Sequence, residues 1–289
     1  MMKVYEALKW ASSFLADHNR DTNIGEIYLC HQLSWSRSTM LANLHETLSE
    51  EVIEELKEVV SKHALQGVPV QQMIGSEEFY GRTFKVTKDV LIPRPETEEL
   101  IELVLGYAKD KLQNQEDVSV ADIGVGSGAI CVTLSCEKPN WKVTGVDLSP
   151  EAIDVAKENN ENLGGNVTFF QGDLLEPIRA NGVRVDILVS NPPYISEDDY
   201  VTLDDVVQKY EPKLALVGGQ DGLDCYRILL KQMPYVLKPG GAVFFEYGVN
   251  QGEMIKEMVM QLYPTAKATI YFDINGKDRM IMITGIAPL

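Results

Sequence analysis

Apolar side chains in residues 1–70 recur at the three-to-four spacing of a helix face: Val4, Leu8, Ala11 and Leu15, then Val52, Ile53, Leu56, Val59 and Val60. Ser49, ahead of Glu50 and Glu51, supplies an N-cap and an acidic first turn for the later helix. Polar stretches at 21–25 and 43–47 break the pattern, so residues 1–75 are read as a small helical domain. Runs of β-forming residues at 79–86 and 90–92, around Thr87, Lys88 and Asp89, predict a hairpin within a linker spanning 76–94. Pro93 stops the extended run. Pro95, followed by Glu96, Glu98 and Glu99 and then by Leu100, Ile101 and Val104, predicts a new helix. Short apolar strands at 118–123, 142–146, 167–170 and 185–189 then alternate with helical stretches at 129–136 and 151–163. That alternation predicts a mostly parallel sheet with helices on both faces over residues 95–289, an α/β, Rossmann-like domain. Two more strands, 241–246 and 279–284, flank a helix near 251–262 and are read as an antiparallel edge.

With 289 residues, 45% of them hydrophobic, the chain can bury an α/β core and a second, smaller domain. A net charge of -17 opposes the phosphate-neutralising surface that nucleic-acid binding requires, so no stable nucleic-acid partner is expected. Cys30, Cys131, Cys136 and Cys225 form no C-x-x-C pair and read as reduced thiols, which suggests the cytoplasm. There is no apolar leader and no run of 18 apolar residues, so no membrane association is expected. His18, His31, His45 and His63 all precede the α/β region, which removes a Ser-His triad or an H-E-x-x-H zinc site from that domain. No metal is expected.

The first strand of the alternating region runs into Gly124, Val125, Gly126, Ser127 and Gly128, then a helix. Glycines there let the chain turn tightly and let a ligand approach the backbone at a helix N-terminus. Asp147 ends the next strand, where it can accept hydrogen bonds from ribose hydroxyls. Up to this point a nicotinamide dinucleotide fits as well as S-adenosylmethionine. Asp122 shifts the balance, because a carboxylate beside the loop suits a cationic ammonium and repels a pyrophosphate; Ala129 in the third glycine position points the same way. Asp173, after the third strand, is placed by the same topology to face the adenine.

The fourth strand ends in Ser190-Asn191-Pro192-Pro193-Tyr194. An amide or aromatic amine nitrogen is a weak nucleophile because its lone pair is delocalised, so it must be oriented. Asn191 Oδ1 and the Pro192 carbonyl can each accept one N–H, Pro193 stiffens the loop, and Tyr194 offers a face for a planar group. Methyl transfer from S-adenosylmethionine to such a nitrogen needs alignment more than a strong base.

Taken with these motifs, Ile92-Pro93-Arg94-Pro95-Glu96-Thr97-Glu98, Tyr210-Glu211-Pro212 and the stretch 216–223 resemble the protein-(glutamine-N5) methyltransferases of the PrmC/HemK family. The resemblance implies a class I S-adenosylmethionine-dependent methyltransferase domain behind a helical domain that docks class I peptide-chain release factors. The acceptor would be the glutamine of the factor's Gly-Gly-Gln loop, and the second product S-adenosylhomocysteine. Carried over, Asp122, Gly124 to Gly128, Asp147, Asp173, Leu174 and Asn191 would contact the cofactor, and Asn191, Pro192, Pro193 and Tyr194 the glutamine. Leu174 stands where some members have an aromatic residue. The chain's own Gly218-Gly219-Gln220 is read as structural.

The rival within methyl transfer is an adenine-N6 nucleic-acid methyltransferase, whose flipped base would use the same Asn, Pro carbonyl and aromatic face. Acidity argues against it. The motifs also admit a ribosomal-protein glutamine as the acceptor, a regulatory module that binds the cofactor without turnover, or a nicotinamide-dependent reductase.

Overall fold

The computed structural model describes residues 2–113, 115 and 117–289, and the chain divides into two units: Met1–Ser76 with Asp204–Tyr210, and Glu77–Leu203 with Glu211–Leu289. In the first, the helices Val4–Asp17, Ile24–Gln32 and Glu50–Gln66 pack Ala11, Leu15, Leu29, Leu56 and Val60 into one core. The first two approach closely at Gly25, where an added Cβ would lie 2.6 Å from that of Ala11. Ser49 Oγ accepts from Val52 N–H at 3.2 Å, the cap that its position predicts. Thr47–Leu48, overlapping the polar break at 43–47, pairs as a short strand with Met2–Lys3.

Asp204–Tyr210, grouped by the sequence with the α/β region, is held in the first unit by side chains. Arg20 forks onto Asp205 with N–O distances of 2.5 and 3.1 Å, and Gln72 Nε2 donates to the Tyr210 carbonyl at 2.6 Å. These partners are over 100 residues apart, so no local pattern marks them.

The second unit carries a seven-stranded sheet: β1 (Ser119–Ile123), β2 (Lys142–Asp147), β3 (Val167–Gln171), β4 (Val185–Ser190), β5 (Leu237–Glu246), β6 (Lys267–Phe272) and β7 (Asp278–Thr284). Their spatial order is β6-β7-β5-β4-β1-β2-β3. β1 to β5 run parallel, and β7 lies antiparallel to β5 and to β6. Residues 241–246 and 279–284 do pair antiparallel, but the edge is β6, which the sequence reading passed over. Its central residues are only half-buried, so it lacks the dense apolar run of the inner strands. β5 starts at Leu237 rather than at Gly241. The strand includes Pro239 and Gly240, with a register shift between Val185↔Leu237 and Ile187↔Ala242.

Successive residues bury on opposite faces, as the pleat requires. Val120, Ile187, Val189, Ala242 and Phe244 pack with Leu100, Ile101, Ile130 and Ile153 on one side. Ala121, Ile123, Leu188, Val243 and Phe245 pack with Tyr226, Leu229 and Ile255 on the other. Burial on both faces explains why the inner strands read as continuous apolar runs.

The hairpin sits earlier than its sequence reading. Ser76–Phe79 and Arg82–Lys85 form a two-stranded sheet joined by Tyr80 and Gly81, both at positive φ (52° and 68°). A two-residue turn of that hand matches strand twist, so it outcompetes the polar triplet at 87–89. Val86 and Val90 are instead buried against Ala152 and Val155. The helix read from Pro95 runs Pro95–Lys111 with proline in its first turn.

Candidate active site

Register brings the motifs together. Ile123 pairs with Val146 on one side and Ser190 on the other, Asp147 pairs with Gln171, and Ser190 pairs with Phe245. Because these strands are parallel, Gly124, Asp147, Gly172, Asn191 and Glu246 all leave the sheet at one carboxyl edge, where open α/β sheets bind ligands. A cavity of about 400 Å³ opens there, lined by Gly124, Gly126, Asp147, Asp173, Leu174, Asn191 and Pro193 among others.

Gly124, Gly126 and Gly128 alternate at φ of 75°, 52° and 82°, a path that side chains resist. The loop is tied to β2: Gly124 N–H and Val125 N–H donate to the Val146 carbonyl at 2.8 and 3.1 Å, and Gly126 N–H donates to Asp147 Oδ2 at 2.9 Å. Ser149 N–H donates to Asp147 Oδ1 at 2.9 Å, fixing the carboxylate at the cavity wall. Burial pushes the Asp147 carboxyl up, while amide N–H groups of Gly126, Ser149 and Leu148 pull it down. Leu174 is held at φ 44°, a strained conformation for leucine costing on the order of 1 kcal/mol.

Of the residues expected at the cofactor, Val125, Ser127, Gly128 and Asp122 lie outside the cavity lining. Val125 is buried next to Gly145, and the Ser127 carbonyl accepts from Asn159 Nδ2 at 2.8 Å. At Gly128 an added Cβ would meet the Ala156 backbone at 3.3 Å. Asp122 is fully buried on β1. Its Oδ2 accepts from Cys131 N–H at 3.1 Å, at the start of the helix Ala129–Glu137, while Oδ1 has no hydrogen-bond partner among the described residues. The pleat decides this inward orientation, which spacing alone does not reveal.

Burial raises the Asp122 carboxyl to about 7. An acid whose folded value exceeds its unfolded one favours the fold while protonated, so its contribution is present at low pH and lost as pH rises toward 7. Melting temperature should therefore fall between pH 5 and pH 8, and Asp122→Asn should flatten part of that slope, by on the order of 1 kcal/mol. Parallel melting curves of the two chains at both pH values would remove this assignment.

On the acceptor side, Ser190 Oγ donates to the Ile123 carbonyl at 2.6 Å and locks the end of β4 to β1. Asn191 Nδ2 donates to Thr97 Oγ1 at 3.2 Å, which turns Oδ1 to the opposite side of the amide. Pro192 is buried, and neither it nor Tyr194 is part of the cavity lining. The Tyr194 carbonyl accepts from Gln251 Nε2 at 2.9 Å, and burial together with Glu246 raises its phenol, against Arg279 and Arg94. Gly218-Gly219-Gln220 packs against the motif: an added Cβ would fall 2.3 Å from the Pro193 carbonyl oxygen at Gly218, and 2.1 Å from that of Tyr194 at Gly222. Glycine is required there for close approach.

Arg94, between Pro93 and Pro95, stands outside the site residues expected from the sequence. Arg94 Nη2 pairs with Glu211 Oε1 at 2.5 Å, and the Glu211 side chain is 2% exposed. The pair joins two segments that each line the cavity, through Lys88 to Leu91 on one side and Pro212, Leu214 and Ala215 on the other. Their signal was the charge set among prolines.

A family model described as the PrmC N-terminal domain matches residues 6–75, and one described as a methyltransferase domain matches 114–283. The release factor glutamine methyltransferase of Bacillus cereus is 52% identical over 280 residues, covering 97% of this chain and 98% of the relative. The chain belongs to the release factor glutamine methyltransferase family. The Bacillus subtilis member is 45% identical, covering 97% of each chain. Among solved structures, the catalytic domain of hMettl16 in complex with the MAT2A 3'UTR hairpin 6 superposes with a TM-score of 0.51 at 14% identity, covering 81% of each chain. The Thermus thermophilus 16S rRNA N2 G1207 methyltransferase RsmC gives 0.50 at 17% identity, over 73% of this chain and 50% of that one. These two likenesses concern the fold, a Rossmann-like methyltransferase sheet.

Proposed function

We propose that the chain transfers a methyl group from S-adenosylmethionine to the side-chain nitrogen of the glutamine in the Gly-Gly-Gln loop of class I peptide-chain release factors. The observation that carries the reading is the register that sets Gly124, Asp147 and Asn191 at the carboxyl ends of paired strands, around one cavity. The family supplies the acceptor, since its members bear the name of release factor glutamine methyltransferases.

The cavity's chemistry suits this cofactor. Asp89, Asp147, Glu151, Asp173 and Asp224 line it against a single base, Lys88, so a cation is favoured and a pyrophosphate is not. Asp147, anchored by two backbone N–H groups, would accept from the ribose hydroxyls, and Leu148, Leu174 and Ile228 would flank the adenine with Asp173 near its edge. Gly124 and Gly126 would let the ligand reach the backbone. Val125, Ser127 and Gly128 would shape the loop from behind, and the unpartnered Asp122 oxygen would keep negative potential beneath it.

When bound, S-adenosylmethionine supplies an electrophilic methyl group on a sulfonium. Asn191 Oδ1 and the Pro192 carbonyl would accept the two N–H groups of the glutamine amide, aiming the nitrogen lone pair along the transfer line. Tyr194 would stack on the amide plane, and Pro193 would stiffen the turn. Alkylation makes the amide nitrogen acidic, so its proton leaves to water without a strong base. The helical unit would dock the factor. Among the described residues no helix is long and apolar enough to cross a membrane, and the four cysteines are free, which agrees with action in the cytoplasm.

Asp147→Ala should weaken cofactor affinity roughly tenfold or more through lost ribose hydrogen bonds, about 1.5–3 kcal/mol for bonds to a charged group. Calorimetric titration reads this directly, and unchanged affinity contradicts the ribose role. The function itself is tested by incubating the chain with methyl-labelled cofactor, a class I release factor and, in a parallel sample, DNA or RNA. Label should enter the factor, whereas label in nucleic acid alone refutes the reading.

A further inference from the structure

Glu246 ends β5 one residue beyond Phe245, the partner of Ser190, and so stands beside Asn191 at the sheet edge. It is 2% exposed, and its Oε2 has no hydrogen-bond partner among the described residues. The transfer chemistry above makes no use of it. A buried carboxylate left partly unsatisfied is expensive to keep, and replacing it with a neutral side chain would remove that cost.

Its neighbours connect it to the acceptor motif. Thr97, itself 5% exposed in the helix Pro95–Lys111, accepts from Asn191 Nδ2 at 3.2 Å. A hydroxyl that accepts still has its own proton to donate, and a carboxylate can only accept. Burial pushes the Glu246 carboxyl up, and the nearby Thr97 and Asn191 side chains act the other way, favouring its ionised form.

We propose that Thr97 and Glu246 are positioning residues, a buried chain from Asn191 Nδ2–H to the Thr97 hydroxyl to the Glu246 carboxylate that fixes Asn191 with Oδ1 toward the acceptor nitrogen. The proposal rests on the transfer reading above. An asparagine amide turned the other way would present N–H groups to the N–H groups of glutamine, and only its partners decide between the two orientations. A negative charge at the far end polarises each bond of the chain in a low-dielectric interior. It also offsets the positive charge that grows on the glutamine nitrogen as the new bond forms.

The groups facing Glu246 are Glu96 from the helix Pro95–Lys111, Arg279 from β7, Tyr194 beyond β4 and Tyr226, whose hydroxyl donates to the Glu246 main-chain carbonyl at 2.6 Å. Arg279 is shared with Asp273 at 3.8 Å. With burial the largest influence, the Glu246 carboxyl is pushed up to about 7. It is charged above that value, so turnover should rise with pH through this region.

The test compares the native chain with Glu246→Gln, Thr97→Val and Thr97→Ser, following transfer to a release factor and the side-chain amide signal of Asn191 by nuclear magnetic resonance. Glu246→Gln should lower kcat roughly 100-fold at pH 8, the cost of an ångström-scale misplacement, with KM for both substrates within a few-fold. It should also flatten the rise of kcat with pH. Thr97→Val should follow it, while Thr97→Ser, which keeps the hydroxyl, should recover most of the rate. In the native chain the Asn191 amide signal should titrate near pH 7, and in Glu246→Gln it should not. Native kcat and pH profile in Glu246→Gln, or an Asn191 signal blind to that substitution, overturns the proposal. A native chain that methylates no release factor, yet shows the Glu246-dependent titration of Asn191, supports the chain of bonds and refutes the function instead.

Discussion

Asn191→Ala is expected to reduce methyl transfer roughly 100- to 1,000-fold, the scale reached when one preorganised hydrogen-bonding group is removed from a reacting centre. Affinity for S-adenosylmethionine should stay within a few-fold. The separation follows from position: Asn191 sits at the end of β4 with Nδ2 on Thr97, whereas the cofactor loop is tied to β2 through Val146 and Asp147. An interaction made only as the acceptor nitrogen reacts lowers kcat and kcat/KM together and leaves binding of the other substrate alone. Single-turnover kinetics with parallel calorimetry would read both quantities. An equal loss of cofactor binding would move Asn191 from acceptor alignment to the cofactor itself.

Arg94→Ala should destabilise the fold by about 3 kcal/mol. It strips the guanidinium from a carboxylate whose side chain is 2% exposed and leaves it only a 3.4 Å contact with the Ile92 N–H. Arg94 is itself over a third exposed, so water softens the loss to the lower end of the range for broken buried pairs. Removing both charges with Arg94→Met and Glu211→Leu should restore most of the stability, because no uncompensated charge remains. Urea unfolding of the three chains measures this, and a single variant within about 0.5 kcal/mol of the native chain would show that the pair contributes little. Activity should fall with Arg94→Ala as well, since both segments that the pair joins line the cavity.

The sequence carried the local parts of the candidate site. Gly124, Gly126, Asp147, Asn191 and Pro193, which line the cavity, each stand at or just beyond the end of an apolar strand, and one-dimensional pattern is enough to find a strand and what comes after it. Their assembly was legible too, because parallel strands in one sheet bring their carboxyl ends to one edge. What stayed hidden depends on the third dimension. Asp122 lies one residue before Ile123, and the alternation of the pleat turns it into the core under the loop rather than into the cavity. Thr97 meets Asn191 across 94 residues of chain, and Arg94 meets Glu211 across 117, so neither pair leaves a periodic trace. The strand expected from 241 begins at Leu237 and carries a register shift, and Tyr80 with Gly81 took the turn that polar composition assigned to 87–89.

The most direct measurement is peptide mapping by mass spectrometry of a class I release factor after incubation with this chain and methyl-labelled S-adenosylmethionine. The account predicts one methyl group on the side-chain nitrogen of the glutamine in the factor's Gly-Gly-Gln loop, absent when Asn191→Ala replaces the native chain. A methyl group on any other residue, or label that reaches nucleic acid and leaves that glutamine unmodified, would contradict it.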